Sequence, residues 1–105
     1  MKIFDLMNLE AKQYEQRDKN VFYQNELFKI RVINLKASES IPECEMDCFV
    51  LFYVIKGEVL LRKNDESAKL KENNIFITEP ALLSMQTDSG TRLIGIQIKT
   101  RETEG

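Results

Sequence analysis

The chain has 105 residues, of which 43% are hydrophobic and 30% charged, and its formal net charge is -2. This length suits one domain with a single core, and the composition is that of a folded chain rather than a disordered one. The near balance of charge gives no electrostatic reason to expect a nucleic acid or an anionic membrane as partner. No stretch is long and apolar enough for a transmembrane helix.

The cysteine and histidine content limits the chemistry. Cys44 and Cys48 are separated by about 13 Å if they lie on one extended strand, which is beyond the reach of an intrachain disulfide. We therefore expect free thiols and a cytoplasmic location, where thiols stay reduced. The chain contains no histidine. It thus lacks the commonest general acid and base and the commonest transition-metal ligand.

Residues 1–20 are expected to form an N-terminal arm. Ile3, Phe4 and Leu6 suit a short lead-in strand, and Asn8 can cap one or two helical turns after it. The stretch EQRDKN that follows predicts a charged, solvated loop.

After the arm the sequence predicts β-strands. The strand VFYQ precedes a turn at Asn25, and the strand LFKIRVINLK follows. Apolar and charged residues alternate at its start, so Lys29 and Arg31 are expected in water. Because the apolar phase then moves to Ile33, a β-bulge is expected near Val32 or Ile33.

The longest apolar run, CFVLFYVI, belongs to a strand that we predict from Cys44 to Ile55. Pairing should begin after Pro42, which has no N–H group to donate. Cys44, Met46 and Cys48 alternate with acidic residues, and the run beyond them is apolar on both faces. Such a strand is covered on both faces. One cover is the barrel interior, and we expect the other to be a second subunit.

The rest of the chain is also predicted to form short strands separated by turns. Gly57 ends the apolar run, and turns are predicted at Asn64-Asp65, at 72–74 and at 88–90, with short strands between them. Turn signals every eight to twelve residues are typical of a sandwich or barrel. The polar tail RETEG is expected to fray.

The strand-rich part, residues 27–99, resembles the small single-domain cupins. Two motifs carry the resemblance. The positions of the first motif fall on Ser38, Cys44, Met46, Val50 and Gly57. Those of the second fall on Asn73, Pro80 and Met85, with one residue more between the first two than is usual.

The resemblance implies an all-β fold, a cupin-type double-stranded antiparallel β-barrel or jelly roll with a short N-terminal arm or helix. We expect a single cupin-like domain over 1–105, in which 1–20 form the arm, 21–99 the barrel and 100–105 the tail.

The metal ligands that the resemblance implies are three histidines and a glutamate, and the chain departs from all four. The residues at these places are Cys44, Met46, Met85 and Val50. This set provides no octahedral or tetrahedral site for iron, manganese, nickel or zinc, so we predict no metal and no cofactor. The alternative is a copper site made from the soft sulfur atoms of Cys44, Met46 and Met85. It has no histidine or carboxylate to orient the ligands.

The sequence therefore predicts a metal-free, non-catalytic module that binds or senses a small molecule in an apolar pocket. The side chains expected in that pocket are Cys44, Met46, Cys48, Val50, Phe52 and Met85. No catalytic residue is assigned, since Cys44 has no histidine to activate it. Two alternatives remain: an enzyme, either a metal-free isomerase or epimerase or a copper-dependent activity, and an assembly protein with a filled barrel. Gln97 is either a surface residue or a polar contact for a ligand.

The outward residues of the central strand predict a homodimer. They are Phe49, Leu51, Tyr53 and Ile55. Large apolar side chains on one exposed face usually mark an interaction site. The rival cover is the arm, through Ile3, Phe4, Leu6 and Leu9, and both covers can act together.

Overall fold

The computed structural model describes residues 1–100, which form a short 3-10 helix and nine β-strands. The elements are the 3-10 helix (Tyr14–Asn20), β1 (Val21–Gln24), β2 (Phe28–Leu35), β3 (Ser40–Met46), β4 (Phe49–Gly57), β5 (Val59–Lys63), β6 (Glu66–Leu70), β7 (Ile75–Thr78), β8 (Ala81–Gln86) and β9 (Thr91–Ile98). Apart from Thr100, the predicted tail lies outside the described residues. Within the described range, no helix is long and apolar enough to cross a membrane.

The strands form two antiparallel sheets, which confirms the predicted all-β class. The larger sheet has the order β1-β2-β9-β4-β7, and the smaller sheet has the order β3-β8-β5-β6. The core lies between them. Val54 and Leu93 of the larger sheet and Leu61 of the smaller sheet are almost completely buried there.

The predicted strand from Cys44 to Ile55 is two strands in different sheets. β3 ends at Met46 and pairs with β8, whereas β4 begins at Phe49 and pairs with β7 and β9. The chain crosses between the sheets at Asp47 and Cys48. The alternation of inward and outward side chains continues through this corner. The hydrophobic pattern of the sequence therefore does not indicate that one strand ends and another begins there.

Pairing of β3 begins before Pro42, contrary to the prediction. Ser40 and Ile41 pair with β8, and a register shift then lies between Ile41 and Cys44. β3 is the edge of its sheet, where a proline costs no bond to a second neighbour. The extra residue of this bulge places Ile41 and Cys44 on the same inner face, although their sequence separation is odd.

The bulge predicted in β2 is absent. β2 pairs with β9 without interruption from Phe28 to Leu35. The irregularity lies in β1, between Val21 and Tyr23. The apolar phase changes along β2 because both of its faces are covered, and Val32, on the outer face, is only 1% exposed.

The arm is not helical where a helix was predicted. Asn8 donates its backbone N–H to the Asp5 carbonyl, so this residue lies in a turn. The 3-10 helix forms instead over the predicted charged loop. Arg92 binds the arm, because its guanidinium donates to the Leu6 carbonyl at 3.1 Å and also to the Leu9 carbonyl. Those carbonyls are therefore bound to a side chain rather than to a helical turn.

Candidate functional site

A cavity of about 120 Å³ lies between the two sheets. Among the predicted pocket residues, those on its wall are Cys44, Met46, Val50, Phe52 and Met85. The wall is completed by further apolar residues of β2, β3, β8 and β9 and by an equal number of residues with polar groups. We call this space the central cavity.

Strand alternation positions the apolar wall. Val50 and Phe52 occupy successive inward positions of β4, and Leu83 and Met85 do so on β8. Gly95 on β9 faces Phe52, and a Cβ atom there would lie 3.1 Å from the Phe52 ring. The absence of a side chain at this position therefore leaves room for the ring.

Cys48 does not line the central cavity, contrary to the prediction. It lies at the corner between β3 and β4, is 7% exposed, and borders a separate cleft. Burial raises the pKa of the Cys48 thiol, the adjacent Asp47 carboxylate raises it further, and a hydrogen bond from Gln97 only partly offsets these effects. Cys48 is consequently a protonated core thiol at neutral pH.

Cys44 lies on the cavity wall but is exposed. Its Sγ atom is 3.9 Å from the Glu45 carbonyl oxygen, a weak hydrogen bond that provides no base. Within residues 1–100, Cys44 has no bonded base that would activate it as a nucleophile.

The cavity also has polar groups that the sequence analysis missed or left open. Arg31 lines it and donates through Nη2 to Gln97 Oε1 at 3.3 Å. The prediction that Arg31 lies in water is wrong, because the outer face of β2 is covered and Arg31 is on the inner face. Side chains alternate along a strand, so Arg31 shares a face with Ile33 and Leu35. This spacing could have indicated its inward position. Gln97 lies on the wall of the central cavity and also borders the cleft next to Cys48, and its role as a polar contact for a ligand stays a prediction.

The 3-10 helix contributes the mouth of the cavity through Tyr14 and Arg17. The Arg17 guanidinium lies 4.4 Å from the centre of the Tyr14 ring, a cation–π contact. Burial lowers the pKa of Arg31, whereas the Asp18 carboxylate raises it and the Arg17 charge lowers it. Arg31 remains a cation at neutral pH, as arginine does in proteins.

The cupin metal positions converge on the central cavity but do not suit the usual metal. All four of them, Cys44, Met46, Val50 and Met85, are on its wall. Val50 has no donor atom, and the other three offer one thiol and two thioethers. Within residues 1–100, no group of three or more His, Cys, Asp or Glu could hold a metal ion. The donor set therefore does not fit iron, manganese, nickel or zinc.

The predicted interface residues lie on the outer face of the larger sheet, which points away from the smaller sheet. Phe49 is 44% exposed, and Leu51 and Tyr53 are partly buried. The Tyr53 hydroxyl is 2.7 Å from Asn73 Oδ1 and donates to it. Ile55 lies at a register shift between Val54 and Lys56, so it departs from the predicted alternation.

The arm covers one half of this outer face. Arg92 holds Leu6 and Leu9 over the β2–β9 side, where Val32 and Ile94 are buried, while Ile3 stays 82% exposed. The other half carries exposed apolar residues. These are Phe49 of β4, Ile75 and Ile77 of β7 and Ile98 of β9, and we call them the apolar patch.

A larger depression of about 950 Å³ lies at the surface between the β3–β4 corner and the end of β9. Its wall consists mostly of exposed residues such as Glu45, Asp47 and Lys99. The central cavity is the better candidate site, since it is lined by buried apolar side chains and a few convergent polar groups.

Comparison with known proteins identifies the fold. No protein-family model and no curated protein sequence matches the chain. A solved structure from Thermus thermophilus superposes with a TM-score of 0.82 at 20% identity, covering 94% of this chain and 98% of that one. A cupin superfamily protein from Desulfitobacterium hafniense gives 0.72 at 15% identity, covering 76% and 74% of the two chains.

An RmlC-like cupin from Methanocaldococcus jannaschii with a double-stranded β-helix fold gives a TM-score of 0.69 at 20% identity, covering 76% of this chain and 77% of that one. Structural similarity at such low sequence identity shows the fold and does not show the activity. The two antiparallel sheets, the central cavity and these superpositions together lead to one conclusion: the chain has the double-stranded β-helix fold of a small cupin.

Proposed function

We propose that the chain is a non-catalytic module that binds a small molecule in the central cavity. The observation that carries this proposal is a cavity inside the barrel, on whose wall Met46, Val50, Phe52 and Met85 meet. A filled barrel, as an assembly protein would have, leaves no such space. An apolar wall with few polar groups is typical of small-molecule sites.

The size of the cavity limits the ligand. Its volume of about 120 Å³ is below the roughly 300–1,000 Å³ of drug-sized pockets. It is close to an engineered cavity of about 150 Å³ that binds benzene. The buried part of the ligand is therefore a single small ring or a short aliphatic chain.

The wall favours binding over turnover. Among the described residues that line it there is no carboxylate, lysine or histidine, and the titratable side chains are Tyr14, Arg17, Arg31 and Cys44. General acid–base catalysis works best with a pKa near the operating pH, which arginine does not provide. An isomerase or epimerase without a metal needs such a group.

We further propose that the site works without a transition metal, on the grounds of its donor set, and that copper is the sole alternative. Two free thiols also suit a reducing compartment, and we propose the cytoplasm as its location.

The methionines allow a direct test of the proposal. Met46 and Met85 line the cavity, whereas Met1 and Met7 are exposed and serve as internal controls. With ¹³C-labelled methionine methyl groups, titration with toluene or benzyl alcohol should shift the Met46 and Met85 signals saturably. Metal analysis of the same sample, purified under reducing conditions, should find no stoichiometric metal.

Two results would contradict the proposal. One is that neither probe shifts Met46 or Met85, and the other is that all four methionines shift in parallel, as in non-specific contact. A Cys44→Phe variant should weaken the response by occupying the cavity, while Leu82→Phe, a change at an exposed position, should not. Stoichiometric zinc, iron, nickel or manganese would contradict the metal-free site, and copper would support the alternative.

A further inference from the structure

We propose that the ligand is a small carboxylate with an apolar body, whose carboxylate group pairs with Arg31; this inference rests on the proposed function of the central cavity. The apolar body would contact Val50, Phe52, Leu83 and Met85, all of which line the same cavity as Arg31.

Arg31 has unused capacity for an anion. A guanidinium has five N–H donors in a planar fork, and the hydrogen bond recorded for Arg31 runs from Nη2 to Gln97 Oε1 at 3.3 Å. The ion pairs in the described part of the chain join other residues. Burial removes part of the hydration of Arg31, and neither the single bond to Gln97 nor the attraction of the Asp18 carboxylate, which forms no ion pair with it within residues 1–100, uses its remaining N–H groups. A bound carboxylate would replace the lost hydration.

The charges around the mouth also favour an anion. Two charged groups of the 3-10 helix, Asp18 and Arg17, act on Arg31 in opposite directions. The three groups together leave one positive charge in excess. Because Arg17 lies at the mouth and Arg31 on the wall, an entering anion meets positive charge along its path.

The shape of the site selects a carboxylate among the anions. One guanidinium matches the two oxygen atoms of a carboxylate through two parallel hydrogen bonds. A phosphate ester has more oxygen atoms and up to two charges, and a single fork leaves part of that charge unpaired. A cavity of about 120 Å³ accommodates a benzoate-sized molecule better than a larger phosphorylated one.

The test compares benzoate with benzamide, which has almost the same shape and no charge. Both are titrated against the wild-type chain and against Arg31→Met, which keeps much of the apolar stem, with the Met46 and Met85 methyl signals as readout. The matched control is Arg62→Met, the same change at an exposed residue of β5.

Benzoate should bind Arg31→Met weaker than wild type by about tenfold or more, the usual scale for a charged hydrogen bond. Benzamide should bind both proteins alike, and Arg62→Met should change neither affinity. Arg31→Lys, which keeps the charge without the fork, should give an intermediate loss for benzoate. It also provides the comparison if the methionine variant does not fold, which the backbone amide spectrum reports.

The outcomes separate the two proposals. Equal affinity of wild type for benzoate and benzamide, or an unchanged benzoate affinity in Arg31→Met, overturns the carboxylate inference and leaves the binding cavity in place. Inorganic phosphate that displaces benzoate at equal concentration overturns the preference for a carboxylate. A cavity that responds to neither toluene, benzamide nor benzoate overturns both proposals.

Discussion

The two thiols of the chain lie in different surroundings although they are neighbours in sequence. Cys44 is exposed, and Cys48 is buried at the corner between the two sheets. A thiolate is the reactive form of cysteine, and burial disfavours it. Cys44 should therefore behave as the accessible thiol and Cys48 as a core residue.

This difference predicts selective modification. At pH 8, iodoacetamide should alkylate Cys44 in the folded chain, and Cys48 should react only after unfolding, as peptide mapping by mass spectrometry would show. The Cys44→Ser and Cys48→Ser variants provide the matched pair. Equal modification of both cysteines in the folded chain would contradict the assignment.

The same prediction has a pH dependence. The folded pKa of Cys48 is raised above its ordinary value by burial. Its contribution to stability is thus fully present below the unfolded pKa, about 8.5, and is lost as pH rises through the folded pKa. Denaturant titrations near pH 7 and above pH 9 should show a smaller alkaline loss of stability in Cys48→Ser than in wild type.

At the scale of elements, the arm depends on a single side chain of β9. Arg92 donates to the carbonyl groups of Leu6 and Leu9, and its strand neighbour on the same face, Ile94, is buried. Asn20 closes the other end of the arm, since its amide bonds both the N–H and the carbonyl of Lys12. The arm is therefore tied down at both ends.

Replacement of Arg92 by methionine should detach the arm. The loss of hydrogen bonds from a charged donor predicts a decrease of about 1 to 3 kcal/mol in the free energy of unfolding. Hydrogen exchange should also accelerate at residues 4–12, because their cover over the sheet is released. The exposed Arg62→Met variant should leave both measurements unchanged. Wild-type exchange rates in the arm of Arg92→Met would contradict this role.

At the scale of the whole molecule, no segment within residues 1–100 covers the apolar patch. Ile75 is 58% and Ile77 64% exposed on β7, an edge strand beside β4. A second copy of this chain carries the same uncharged surface, which a two-fold axis would make self-complementary. We therefore propose a homodimer that buries the patch together with Leu51 and Tyr53.

The proposal predicts that Phe49→Lys combined with Ile77→Lys yields monomers. Burying each large apolar side chain contributes roughly 1.5 to 3 kcal/mol, and a buried unpaired lysine opposes association. Sedimentation velocity at tens of micromolar measures the change. Leu82→Lys, at an exposed apolar residue of the smaller sheet, is the control and should stay dimeric. A monomeric wild-type chain would refute the proposal.

The sequence by itself determined the local features of this protein. The β-rich class followed from turn residues such as Asn64 and Asn73, which adopt positive φ in the structure, and from short alternating runs. The inward positions of Val50 and Phe52 followed from the period of two, which depends only on strand geometry, whereas Met85 was placed in the pocket by the resemblance to cupins. The loss of the metal ligands was equally visible, because it concerns side-chain chemistry.

Only the tertiary structure decided which surfaces meet. The corner at Asp47 and Cys48 preserves the alternation, so no local pattern reveals that the chain changes sheets there. The sequence predicts that Arg31 faces solvent. In the structure the arm covers the opposite face of β2, so Arg31 lies on the inner face. That cover depends on Arg92, which is distant in sequence. Inward and outward positions are properties of one strand, whereas a cavity or a covered face results from packing between distant segments.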